Sequence, residues 1–168
     1  MLLLQVTLKG DTSMQFVKSL SALLTSAALV GLLTTTTLAQ DQLGGAAEAK
    51  AMLEKAVAEL KSNEAAALAK FNKGEGGFKD RDLYVFCFDM KARKMTAHIN
   101  PALLGKSPED IKEKDGSPIG EKIIAAVKEG TINTVSYNFP KPGGTDPVPK
   151  VTYVTRVGDQ GCGVGYYK

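Results

Sequence analysis

The sequence predicts an α+β domain in which helices cover a five-stranded antiparallel sheet. Apolar residues recur at helical spacing from Ala46 to Phe71. Two short runs dense in aromatic and β-branched residues follow, and three more close the chain. Between the two groups of strands, Pro101 to Gly130 carries helix-start signals. At 168 residues, 43% hydrophobic and 23% charged, the chain has the size and balance of one ordinary domain. Its net charge of +3 is scattered, which argues against a surface that tracks nucleic-acid phosphates. One histidine, His98, and two cysteines, Cys87 and Cys162, cannot build a four-ligand zinc site from His and Cys alone.

The first 39 residues are expected to be a signal peptide. From Phe16 to Ala39 the only charge is Lys18, and Ser19 to Leu33 is an apolar run diluted with small residues. Thr37-Leu38-Ala39 before Gln40 offers small residues at a cleavage site. The alternative, a retained membrane anchor, needs roughly 20 strongly apolar residues, and the threonines at 34 to 37 weaken it. Met14 is a second candidate start, from which the leader would have ordinary length. Residues 40–168 are then one exported, nearly neutral domain, large enough to be stable without cross-links.

The mature chain opens with Ala49, Met52, Leu53, Ala56, Val57, Leu60, Ala67, Leu68 and Phe71 at three- and four-residue spacing, an amphipathic helix of some seven turns. Ser62-Asn63-Glu64 marks a kink or a break in it, and Asn72-Lys73-Gly74 stops it. Asp82 to Asp89 is too short for a core helix and reads as a strand buried on both faces. Met90 to Lys94 then turns the chain into a hairpin partner, Met95 to Ile99, closed by Asn100-Pro101. Ser107-Pro108 and Ser117-Pro118 each place a capping serine before a proline, so two short helices are expected, the second ending at Gly130. Thr131 to Phe139, Lys150 to Val157 and Gly161 to Tyr167 are the last three strands, joined by the Pro140–Pro149 loop and the turn Gly158-Asp159-Gln160.

Familiar catalytic and binding motifs fail on their context. Gly161-Cys162-Gly163-Val164-Gly165 sits within a terminal strand and opens no helix, so it lacks the amides and dipole that hold a pyrophosphate. Asp110 to Ser117 lacks the alternating oxygen ligands and closing glutamate of a calcium loop and is better read as a turn. His98 has no nucleophile in a recognisable elbow beside it, and Cys87 lies in the most apolar strand, where burial hides a thiol. Neither an enzyme nor a bound cofactor is expected.

Polar aromatics and cations set into apolar strands are more informative. Tyr84, His98, Tyr137, Lys150, Tyr153 and Arg156, with Lys106 in the loop after the hairpin, could offset the desolvation of a small carboxylate in an apolar pocket. The plainer alternative is that each tyrosine packs its ring and points its hydroxyl to water. Strand parity divides the set: Tyr153 faces with Val151 and Thr155, Lys150 and Arg156 the other way. All of them could line one pocket only with a bulge. Lys150 is kept because it stands at the strand entrance after Pro149, and Arg156 is set aside.

In order and spacing, several fragments resemble the single Cache domain family, extracytoplasmic relatives of PAS domains found in bacterial sensors. They are Ser62 to Asn72, the strand Asp82 to Asp89, His98-Ile99-Asn100-Pro101-Ala102-Leu103-Leu104-Gly105-Lys106, the turn Asp115-Gly116, Val135 to Pro142, Pro149 to Val154, and Gly163-Val164-Gly165-Tyr166-Tyr167. The resemblance implies a long N-terminal helix on one side of a PAS-like sheet of strand order 2-1-5-4-3, with the other side curved around a pocket for short carboxylates and related metabolites. Its pocket positions would fall at Tyr84, His98, Lys106, Tyr137, Lys150 and Tyr153. The turn Gly158-Asp159-Gln160 lacks the tryptophan often found there, and Cys87 takes a usually apolar position. The same order sets the strands of Cys87 and Cys162 side by side; a disulfide in an oxidising compartment and two buried free thiols both stay open.

By this resemblance the chain is expected to be a periplasmic or secreted, stand-alone sensor module for a small organic acid. Because it ends at Lys168, it would act with a separate membrane receptor or kinase and could form a homodimer through its N-terminal helix. The rival expectation is an envelope interaction or dimerisation module that binds no small ligand.

Overall fold

The computed structural model describes residues 43–168; the expected signal peptide, residues 1–39, and the alternative start Met14 lie outside them. The N-terminal amphipathic segment is two helices, α1 (Ala46–Ser62) and α2 (Glu64–Lys73). Asn63 separates them. Its backbone is extended, its N–H still donates to the Glu59 carbonyl of the first helix, and its side chain accepts the Ala66 N–H of the second. A single asparagine thus closes one helix and caps the next, which turns the expected kink or break into a break. Gly74, at φ +68°, ends α2 with its N–H on the Lys70 and Phe71 carbonyls.

Six strands follow: β1 (Lys79–Asp80), β2 (Leu83–Asp89), β3 (Lys94–Ala97), β4 (Asn133–Pro140), β5 (Pro147–Val157) and β6 (Gln160–Tyr167). All the pairings are antiparallel. The two-residue β1 had no counterpart in the sequence reading; it pairs with the start of β2, Lys79 opposite Tyr84. Apart from it the sheet runs β3-β2-β6-β5-β4, which is the expected 2-1-5-4-3 order when strands are counted from Leu83. The three-strand unit β4-β5-β6 keeps an unbroken register, with Tyr137 opposite Lys150 and Lys150 opposite Tyr167.

The sheet separates two apolar layers. On one face Leu83, Val85, Cys87, Cys162 and Val164 pack with Ala49, Leu53 and Ala56 of α1 and with Ala67 and Phe71 of α2. On the other, Phe88, Met95, Val135 and Val154 pack against Ile119, Ile123 and Val127, contributed by helix α3 (Ile119–Ala126) and its C-cap. The cysteines are bridged: Cys87 and Cys162 stand directly opposite across β2 and β6, with Cα atoms 4.1 Å apart.

The connection between β3 and β4 departs from expectation in two places. The first expected helix is a single 3-10 turn, Pro108–Asp110, with Ser107 Oγ accepting the Glu109 N–H. In the second, Pro118 rather than Ser117 takes the N-cap position, and the Ser117 N–H donates to Asp115 Oδ1 in the turn before it. Helix α3 stops at Ala126, ahead of Gly130.

Candidate functional site

Period-two alternation sends opposite residues of each strand to opposite faces. On the face away from α1, β2 presents Tyr84 and Phe86, β4 presents Tyr137 and Phe139, β5 presents Lys150, and β6 presents Tyr167. Ile119 and Ile123 of α3, with His98, Ile99 and Leu103 from the segment after β3, close over them. They enclose a cavity of about 380 Å³ with largely apolar walls.

The floor of this cavity depends on β6. Gly161, Gly163 and Gly165 alternate on the cavity face, and a Cβ on any of them would strike a neighbour. At Gly163 it would stand 2.6 Å from the Phe86 ring; at Gly165, 2.6 Å from Lys150 Cε and 2.7 Å from Thr152 Oγ1. The repeat rejected above as a dinucleotide loop is therefore a trough in the sheet, into which neighbouring strands lay their side chains.

Lys150 lies in that trough, only 4% exposed. Its Nζ makes one long hydrogen bond, 3.4 Å to Tyr167 Oη, and sits 4.4, 5.3 and 5.7 Å from the ring centres of Tyr167, Tyr84 and Phe139. None of the ion pairs among the described residues includes it. Burial drives its pKa down from 10.5 to about 8, with the negative charge of Asp82 pulling weakly the other way. At neutral pH Lys150 is thus mostly an ammonium ion, held by aromatic faces and without a counter-ion.

The remaining polar groups are neutral donors. Burial, and after it the charge of Lys150, lowers His98 to about 4. Its Nδ1 accepts the Asn100 N–H at 2.9 Å, so the neutral ring carries its proton on Nε2. Asn72 of α2 fixes the backbone here: Oδ1 accepts the His98 N–H and Nδ2 donates to the Thr96 carbonyl. The edge of Tyr84 meets the His98 ring at 5.0 Å between centroids. Burial raises the Tyr84 and Tyr137 hydroxyls and pushes Tyr167 up to about 12, so all three keep their protons. Tyr137 Oη shares a 2.7 Å hydrogen bond with Thr152 Oγ1, and Tyr167 Oη donates to the Pro140 carbonyl at 2.5 Å.

Four of the six residues expected at the site therefore line one cavity: Tyr84, His98, Tyr137 and Lys150. Tyr153 does not. β5 carries no bulge, so Tyr153 faces the other layer and stacks on Tyr166, with ring centres 5.7 Å apart. Lys106 is exposed, its backbone engaged with Leu103 and Met95 in the loop after β3. Arg156, set aside from the sequence, pairs with Glu129 and Asp159 at the surface. Sequence reasoning missed Tyr167, Phe86 and Phe139. The signal for Tyr167 was its parity with the glycines at 161, 163 and 165. Among the described residues, no three His, Cys, Asp or Glu side chains group so as to hold a metal ion.

Comparison with known proteins agrees with this architecture. The family model for single Cache domain 2 matches residues 35–166. Over 75 residues, 45% of this chain, the sequence is 28% identical to the methyl-accepting chemotaxis protein McpP of Pseudomonas putida, of whose length the match spans 14%. A methyl-accepting chemotaxis protein from Vibrio parahaemolyticus superposes with a TM-score of 0.58 at 26% identity, over 72% of this chain and 86% of that one. The periplasmic sensor domain of a chemotaxis protein gives 0.53 at 26%, over 70% and 86%. A Cache chemosensory domain described for carboxylic acid recognition shares the fold, with a TM-score of 0.51 at 24% identity over 70% and 84% of the two chains.

Proposed function

We propose, given that this chain belongs to the single Cache domain 2 family, that it is an exported sensor module whose cavity binds a short organic carboxylate and whose ligand state is read by a membrane receptor or kinase. Its family and structural neighbours are sensor domains of chemoreceptors rather than enzymes. The observation that carries the ligand class is the Lys150 ammonium inside an apolar cavity, with no carboxylate in ion-pair contact with it among the described residues. A buried charge is tolerated at a cost unless an opposite charge joins it. One carboxylate would supply that charge, with the Tyr84 and Tyr137 hydroxyls and the Nε2–H of the neutral His98 ring as donors to its oxygens. The apolar remainder of the cavity suits a short hydrocarbon tail.

The chemical test is a thermal-shift panel of acetate, propionate, pyruvate, lactate and amino acids. A true ligand at 100 times its dissociation constant adds about 2.7 kcal/mol of stability. Tyr153→Phe is expected to keep the shift, since Tyr153 faces away from the cavity. No shift with any compound removes the ligand reading and leaves the rival, an envelope interaction module. A cavity plugged by its own side chains would have favoured that rival; this one is open. Residues 1–39 as a cleaved leader, and self-association through α1, complete the proposal. They are read respectively by N-terminal sequencing of the exported protein and by light scattering with and without ligand.

A further inference from the structure

Lys150 combines features that ion pairing alone does not require. Its amine is the only lysine nitrogen among the residues lining the deep wall of the cavity, Lys141 standing at the exposed rim. Among the described residues no carboxylate stands within ion-pair distance of it, Asp82 favouring the ammonium form only from further away, and Gly165 lets its alkyl stem lie flat across β6 so that Nζ meets the Tyr167 hydroxyl at 3.4 Å. Tyr84, whose ring centre is 5.3 Å from Nζ, carries a protonated hydroxyl with no hydrogen-bond partner among the described residues. An amine, a nearby weak acid and a largely apolar cavity are the ingredients of reversible condensation with a carbonyl.

We propose that Lys150 forms a reversible imine with small carbonyl acids, 2-oxo acids above all, so that the cavity distinguishes an oxo acid from its saturated or hydroxy counterpart by a covalent bond. The inference rests on the carboxylate-binding reading and names a substrate class for the same site. In the step, the ammonium first gives one proton to solvent. The Nζ lone pair then forms a C–N bond as the carbonyl π pair moves to oxygen, which takes a proton from the Tyr84 hydroxyl, itself reprotonated from solvent, while the nitrogen gives a second proton to solvent and so regains its lone pair. The nitrogen pair next expels that oxygen as water, with one further proton, leaving a protonated imine. One ammonium ion and one carbonyl give one iminium ion and one water, with no change in charge or oxidation state. The positive charge survives, so the ligand carboxylate keeps its counter-ion.

The low basicity of Lys150 favours the first step. At about 8, against 10.5 for an ordinary lysine, the free amine is about three hundredfold more abundant near neutral pH than on an exposed side chain. The apolar walls of Phe86, Phe139, Ile119 and Ile123 favour the last one, because they offer an attacking water no hydrogen-bond partner.

The test uses the whole chain near neutral pH with glyoxylate or pyruvate and cyanoborohydride, which reduces an imine to a stable amine. Peptide mapping follows. The expected result is one carboxymethyl or carboxyethyl group on Lys150, at least about tenfold above any other lysine, and suppressed by excess acetate or propionate. Equal labelling of the exposed lysines, or no label on Lys150, overturns the proposal. Thermal shift with acetate and propionate, run in parallel, separates the two levels. Stabilisation without a Lys150 adduct removes the imine and leaves the carboxylate site; neither stabilisation nor adduct removes both. The wild-type map needs no variant, so a folding defect cannot obscure the outcome.

Discussion

Replacing Lys150 with Met is expected to make the domain more stable and blind to its ligand. The fall from 10.5 to about 8 means that keeping Lys150 charged in the folded protein at pH 7 costs about 3 kcal/mol. Contacts with the rings of Tyr84, Phe139 and Tyr167 return about 1–2 kcal/mol of that. Methionine keeps the length and the aromatic contacts without the charge, so the variant should gain about 1–2 kcal/mol, several degrees in Tm. The pH dependence has a definite sign. A lysine whose folded pKa is lowered sheds its proton in the native state while the unfolded chain still holds one, so wild-type stability rises between about pH 8 and 10.5. The advantage of the variant is therefore full at pH 7 and shrinks toward pH 10. Urea unfolding at pH 7 and near pH 10 measures both. A variant less stable than wild type at pH 7 would refute the reasoning, because Lys150 would then be a structural residue rather than a charge awaiting a partner.

Carboxylate affinity, followed by calorimetry, should be flat from about pH 5 to 8 and then fall about tenfold per pH unit as Lys150 deprotonates. An inflection near pH 6.5 would contradict the neutral state assigned to His98, whose pKa is about 4. Gly165→Ala should weaken binding at least about tenfold, since its Cβ would stand 2.6 Å from Lys150 Cε; unchanged affinity would mean that the trough does not position the ammonium. The Cys87→Ser, Cys162→Ser double variant should lose about 4 kcal/mol by urea unfolding, given the 75-residue separation of the bridged cysteines. A loss below about 1 kcal/mol would show that the bridge contributes little to stability.

The elements themselves were legible because their signals are local. Helical spacing marks α1 and α2, and the polar step at Ser62-Asn63-Glu64 is where Asn63 divides them. Aromatic and β-branched density marks β2, and Gly74 ends α2 as its position suggests. Parity was equally local, and it separated Lys150 from Tyr153 correctly; the error lay in keeping both for one pocket when β5 carries no bulge. Two kinds of feature were out of reach. Register decides that Tyr167 lies opposite Lys150, and no residue type announces a register. The start of α3 at a Pro118 cap, after a turn in which Asp115 Oδ1 accepts the Ser117 N–H, depends on a turn whose geometry only the folded chain defines. β1 exists because the glycine-rich loop returns Lys79 beside Tyr84, and two residues are too few to leave a pattern.

The bridge between Cys87 and Cys162 lies on the reverse of the strands that carry Phe86 and Gly163. One jaw of the vice is thus bolted from behind, and its spacing cannot change when something enters. Any yielding must come from the opposite jaw, from α3, the segment around Ile99 and Leu103, and the loop 141–146 between β4 and β5, which lie outside the bridged strands. Arrival of a guest should then be felt as movement of that outer wall against a stationary anvil.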